Sequence, residues 1–206
     1  MAGRLFGNPR CLAAAIVSAT VFTTASLPAR GEVDVLIRYG VLGRLMAQQM
    51  FTQDGRRYIK GTSRARCNFA YLEAPRVDAV AGRLRIRARF SGRSALDMLG
   101  RCVGFGDDFE VEITGRPYFG RGAVRLDAVV VRTAANGFYA RRVAAALARS
   151  VPDQFEYPLQ ADMKRAIEAG GSTAGQVRDL RRFEVPKIEV REDGLVISMA
   201  FEIEVR

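Results

Sequence analysis

Hydrophobic positions change period three times along the chain, and each change marks a change of element. Between Glu32 and Phe51, Val33, Ile37, Val41, Leu45 and Met46 recur every three to four positions, and Leu42 widens the stripe. This spacing predicts one long amphipathic helix. Gly40 and Gly43 weaken it by roughly 1 kcal/mol each relative to alanine. Asp54-Gly55 ends it as a turn.

From Arg57 to Arg132 the period drops to two. Tyr58–Gly61 predicts a short strand, Asn68–Val80 a longer extended stretch interrupted by Pro75, and Ala81-Gly82 a hairpin turn. Next, Leu84, Ile86, Ala88 and Phe90 alternate with Arg83, Arg85, Arg87 and Arg89. Ser94–Leu99 is expected as a helical turn leading to Cys102. Phe109, Val111 and Ile113 then alternate with Asp108, Glu110 and Glu112, and a turn near Gly120 and Gly122 precedes a strand from Ala123 to Arg132. An arginine face followed by an acidic face predicts neighbouring strands whose opposite charges meet on the solvent side. Exposed pairs of this kind contribute about 0.2–1 kcal/mol each. Their larger effect is on register, because a slip of one residue would turn charge into the core. The same arginines would also suit a binding patch.

Helical spacing returns after Asn136-Gly137. Phe138–Val151 carries Tyr139, Val143, Ala146 and Leu147 on one side with Arg141 and Arg142 beside them, and Pro152 is expected to stop it. Leu159–Ala169 predicts a second helix, ended by Gly170-Gly171, and Ser172–Arg178 a loop. The chain closes with alternation again. Phe183–Arg191 is broken in phase by Pro186, Asp193-Gly194 is a hairpin signal, and Leu195, Ile197, Met199, Phe201, Ile203 and Val205 form a regular apolar face.

The first thirty residues stand apart. Arg4 and Arg10 precede an uncharged run from Cys11 to Ala29, and charge resumes at Arg30. A basic start, an apolar middle and a small residue before the first charges have the form of a secretory signal. The expected division is residues 1–29 as signal, with cleavage after Ala29 or, second, Ala25, and residues 30–206 as a single domain. An uncleaved anchor is the alternative, although the densest apolar stretch, Leu12–Phe22, falls short of the ~20 residues of a spanning helix. No later segment could cross a membrane as a helix. The expected location is the periplasm.

Composition changes the picture in three ways. With 49% hydrophobic and 26% charged residues, the chain can bury a core and stay soluble. Losing residues 1–29 removes two arginines and no acid, taking the formal charge from +10 to +8; such a balance suits anionic lipid surfaces or acidic polymers. Export argues against nucleic acid, the usual partner at this pI. Cys67 and Cys102 remain after cleavage, and in an oxidising compartment they suit one disulfide, the alternative being two buried thiols.

The absence of histidine closes Ser–His, Cys–His and His–metal schemes. There is no Cys-x-x-Cys pair and no phosphate-cradling glycine motif; Gly104-Phe105-Gly106 is a bare Gly-x-Gly. Asp107-Asp108 fits the start of a charged strand face better than a catalytic or calcium pair. Asp153, Glu156, Asp162 and Glu168 have the spacing of solvated helix faces. No cofactor, metal site or enzymatic activity is expected.

The order helix, meander, helical pair, closing hairpin is carried by Arg83–Phe90, Asp108–Ile113, Phe138–Ala169 and Lys187–Val205. In this order the chain resembles the YceB-like bacterial envelope proteins of the tubular lipid-binding, BPI-like superfamily. The resemblance implies an α+β fold, a curved antiparallel meander wrapped around the long N-terminal helix, with an apolar groove for lipid between them. The groove would be lined by Ile37, Val41, Leu45, Leu84, Ile86, Phe90, Val111, Leu126, Ile197, Met199 and Phe201. The same residues would equally serve a filled core. YceB-like members are lipoproteins, whereas Cys11 precedes the apolar run and is misplaced for lipidation. The expected function is a periplasmic, non-catalytic binding protein for lipid or another hydrophobic ligand. The alternative is an envelope interaction module with a filled core.

Overall fold

The computed structural model describes residues 29–171 and 177–205. Residues 1–28, with Cys11 and nearly all of the expected signal, and most of the Ser172–Arg178 loop lie outside them. Ala29 already belongs to the first strand.

The long N-terminal helix is not formed. Ala29–Arg38 is a strand, β1, and only Tyr39–Met50 is helical, as α1. The cause lies in the spacing. Val33, Ile37, Val41 and Leu45 recur every four residues, which satisfies a helix and an alternating strand equally. Val35, of the same parity, favours the strand, and β1 finds its partner far away in Gly194–Val205, β8, with Val35 opposite Ile197 and Ile37 opposite Leu195. Tyr39 secures the switch from strand to helix. Its hydroxyl donates to the Arg191 carbonyl at 2.5 Å, with the Gly194 carbonyl at 3.2 Å.

Five strands follow or precede hairpins in simple order: β2 (Arg56–Lys60), β3 (Asn68–Val80), β4 (Arg83–Met98), β5 (Arg101–Gly120) and β6 (Ala123–Thr133). They form one antiparallel sheet in that order; β1, β8 and β7 (Arg178–Val190) form a second, with β8 in the middle. The antiparallel sheet curls, and it does so at register shifts around Ala74-Pro75, Gly115 and Pro186, where the chain departs from regular pairing. The hairpins at Ala81-Gly82, Leu99-Gly100 and Arg121-Gly122 each place two consecutive residues at positive φ, the backbone of a twisted two-residue turn. The expected helical turn at Ser94–Leu99 is therefore strand and turn: alternation continues unbroken through β4, and pairing with β5 overrides the local preference.

Helix α2 (Phe138–Gln154) lies on the five-stranded sheet, burying Ala140, Leu147 and Val151. Pro152 does not stop it. At the last turn proline forfeits a single backbone bond, and the buried Val151 and Phe155 hold that turn, with Phe155 N–H donating to the Val151 carbonyl at 2.9 Å. Helix α3 (Leu159–Gly171) packs with Phe183, Leu195, Ile197 and Met199 of the smaller sheet. Two cores result, one under α2 and one under α3. Leu42 of α1 touches both, and the edge-to-face contact of Phe119 with Phe183 joins the sheets. The closing hairpin turns at Glu192-Asp193, one residue earlier than Asp193-Gly194, with Arg191 N–H bonded to the Gly194 carbonyl.

Candidate functional site

The arginine stripe is engaged inside the protein. Arg87 stands opposite Glu112 and Arg89 opposite Glu110, as the charge pattern predicts. The closest ion pairs also draw in β3. Arg85 grips Asp78 at 2.6 and 2.8 Å, Arg87 reaches the same carboxylate at 2.8 Å, and Arg89 meets Asp108 at 2.6 Å. The hydrogen bond from Arg85 holds the Asp78 carboxyl below the ordinary carboxylate range. A depressed folded value means that this stabilisation is complete above the unfolded value near ~3.9 and is lost as pH falls through the folded one. Asp78→Asn should lower the unfolding free energy by about 1 kcal/mol at neutral pH and flatten the acid limb of the stability curve; an unchanged acid limb in urea titrations would refute the assignment. With its cations so occupied, this face is a register device. Asp107 and Asp108 belong to it: Asp107 Oδ1 accepts the Asp108 N–H at 2.8 Å. Among the described residues no group of three or more Asp, Glu, Cys or His residues could hold a metal ion.

Under α1, where the resemblance places a groove, the space is small. Ile37, Leu45 and Ile197 line an apolar cavity of about 140 Å³ with Leu42, Met46 and Leu195. Leu84, Ile86 and Leu126 line a neighbouring one of about 80 Å³ on the other side of Leu42 and Met46. Both fall below the ~300–1,000 Å³ of ordinary ligand pockets. The remaining expected residues lie elsewhere. Val41 is 40% exposed, Val111 is sealed in the first core, and Met199 is buried in the second. Phe201 lies under Gly31 on the central strand of the smaller sheet, in a depression bordered by Arg30 and Glu202.

Phe90 belongs to a different and larger hollow. A groove of about 300 Å³ runs between α2 and strands β2–β4. Ile59, Ala70, Phe90, Val143, Ala146 and Leu147 make it apolar, and Lys60 and Arg142 stand in its wall; Phe69 and Arg93 border it through their strands, with their side chains on the other face of the sheet. Neither Lys60 nor Arg142 has a carboxylate within ion-pair distance among the described residues. Tyr139 adds a hydroxyl that makes no hydrogen bond among the described residues; burial, then Asp107, raises its pKa above the usual phenol value, so it remains a donor at neutral pH. Gly92 makes this geometry possible. A Cβ there would stand 2.6 Å from the Phe90 ring and 2.8 Å from the Tyr139 hydroxyl, so both rings occupy space that only glycine leaves.

The sequence places Tyr139, Val143, Ala146 and Leu147 on one face of α2 with Arg141 and Arg142 beside it, and assigns that face no site. The signal for a groove was Ala146, a small residue among large ones, which leaves the sheet uncovered beneath it. The loop between β2 and β3 is tied to the start of β5 by the Cys67–Cys102 disulfide, with 5.2 Å between Cα atoms. Such a bond suits an oxidising compartment. Among the described residues no helix is long and apolar enough to cross a membrane. Comparison with protein-family models, with curated proteins and with solved structures finds no match to this chain.

Proposed function

We propose that the protein is a non-catalytic, exported binding protein for an amphiphile with an anionic head, held in the groove between α2 and the five-stranded sheet. One observation carries it: an apolar floor shares its walls with two cations that have no carboxylate partner and a tyrosine hydroxyl that makes no hydrogen bond, among the described residues. A hydrocarbon chain would lie over Ala70, Phe90 and Leu147. A carboxylate or phosphate would meet Lys60 or Arg142 and accept from Tyr139. At roughly 30 Å³ per methylene, close to a water's share of liquid volume, the groove takes about ten carbons. The lipid-binding resemblance supports the same class of ligand, though at α2 and not at α1. The small cavities under α1 favour a filled core there, as in the alternative of an interaction module, but that alternative leaves the groove unexplained.

Delipidated protein should take up a fluorescent medium-chain fatty acid. Each two-carbon truncation should weaken binding roughly 15-fold, from about 0.8 kcal/mol per methylene. Ala146→Trp should fill the groove and lower uptake at least tenfold while the unfolding midpoint stays put. Arg142→Glu should weaken the acid but spare the corresponding alcohol. Uptake unaffected by Ala146→Trp would exclude this groove.

A further inference from the structure

The distal part of the β4–β5 hairpin is built unlike the rest of the sheet. β3 pairs with β4 only as far as Ser94, beyond which the Cys67 carbonyl accepts from the Ala95 N–H. β6 pairs with β5 only from Val111 onward. Between these limits the hairpin is a two-stranded ribbon with no strand beside it. Ribbons of this kind are marginal in water on their own, and this one is pinned near its turn by the disulfide to Cys102, which stands opposite Asp97. Gly104 lets its strands close up, since a Cβ there would lie 2.4 Å from the Ser94 carbonyl oxygen.

The ribbon carries the three most exposed large hydrophobic side chains among the described residues, Leu99, Phe105 and Leu96. Leu96, Met98, Leu99, Val103 and Phe105 are between 56% and 105% exposed. Register explains how they group. Leu96 stands opposite Val103, Ser94 opposite Phe105 and Met98 opposite Arg101, so Leu96, Met98, Val103 and Phe105 share one face. That face is the continuation of the core face of Phe90, because β4 and β5 pair from end to end without a shift. It leads to Ser94, in the wall of the α2 groove. Leu99 is the most telling residue. It occupies the first position of the turn at φ 52°, where a branched side chain is disfavoured and asparagine or glycine is normal, and its fully exposed side chain packs on nothing. It is unfavourable locally on both counts, so its use lies outside the fold.

Charge narrows the choice of partner. Around the ribbon, Arg64, Arg66, Arg93 and Arg101 are exposed, and no carboxylate pairs with any of them among the described residues. The one acid in the stretch from Ser94 to Gly106, Asp97, accepts the Gly100 N–H at 2.9 Å and closes the turn. Apolar side chains at a projecting tip, with cations behind them, match the layers of a bilayer: hydrocarbon below, anionic headgroups above. We propose that the β4–β5 ribbon docks the protein on an anionic phospholipid bilayer, with Leu99 and Phe105 entering the interface and the arginines meeting headgroups. The docking stands on the ribbon alone. If the groove also binds an amphiphile, its mouth then faces the membrane that supplies it.

The test is sedimentation of the protein, purified as cells deliver it, with vesicles of equal parts phosphatidylglycerol and phosphatidylcholine, against vesicles of phosphatidylcholine alone. Binding should favour the anionic vesicles and fall with added salt. Leu99→Asn suits the turn better than leucine, so its melting temperature should hold or rise while its vesicle binding drops several-fold; with Phe105→Ser added, the loss should reach at least tenfold. The chain contains no tryptophan, so Phe105→Trp provides a single reporter whose emission should shift to the blue on anionic vesicles. Wild-type protein that sediments with neither vesicle, or a Leu99→Asn/Phe105→Ser variant that sediments like wild type, would overturn the proposal. Ala146→Trp should still bind vesicles, so a failed groove and a failed tip are told apart.

Discussion

Replacing Cys67 and Cys102 with serine should lower the unfolding free energy by roughly 3–4 kcal/mol. The bond joins residues 35 apart in sequence, and opening a loop of that size restores this much chain entropy to the unfolded state. For a domain of this size that corresponds to about 10 °C in melting temperature. The loss should also be uneven. The ribbon beyond Ala95 has no lateral strand, so without its pin it should open locally well below the global transition. Amide exchange at Leu96–Val103 should accelerate far more than at Ile86 or Ile113, which sit in the sealed core. Urea unfolding with and without reductant measures the first effect and exchange measures the second. A reduced protein with the oxidised midpoint would mean that the bond constrains neither state.

Leu147→Ala should cost about 3 kcal/mol. Leu147 is 2% exposed, at the contact between α2 and the sheet, and a deletion of this kind combines lost transfer energy with the cavity left behind. It also stands in the wall of the α2 groove, so the cavity should open into it. The variant should be less stable yet accept a branched or bulkier chain than wild type does. Ala146→Trp acts in the opposite sense one residue away, with little change in stability and loss of uptake. If Leu147→Ala and Ala146→Trp changed stability alike and left uptake alone, α2 would be an ordinary core helix.

The two predictions rest on features of unequal legibility. The strand pairing around Arg83–Phe90 and Phe109–Ile113 could be foreseen from charge and alternation, because a sheet with one wet face imposes a period of two on every residue. The disulfide was foreseen as one of two states of its cysteines. The groove was not foreseen where it lies. Its residues come from β2, β3, β4 and α2, and no local pattern separates a stripe that is fully covered from one left partly bare at Ala146. The exposed ribbon escaped for a related reason: Leu96, Met98, Val103 and Phe105 continue the same alternation as the core, and only the extent of β3, β6 and α2 leaves them uncovered.

What this chain determines by itself is its local alphabet: where polarity alternates, where Ala-Gly, Leu-Gly and Arg-Gly pairs fold the chain back, which helices have one greasy side, and that no histidine chemistry is available. Those properties follow from neighbours a few residues apart. Tertiary structure alone decided that Ala29–Arg38 is a strand, that the described residues form two cores and not one, and that α2 borders a larger apolar hollow than α1 does. Each of these depends on a partner far away in the chain. A segment spaced every fourth residue is equally ready for helix or strand until β8 offers it hydrogen bonds, and a hydrophobic face becomes a floor, a lining or an exposed tip according to what packing brings over it.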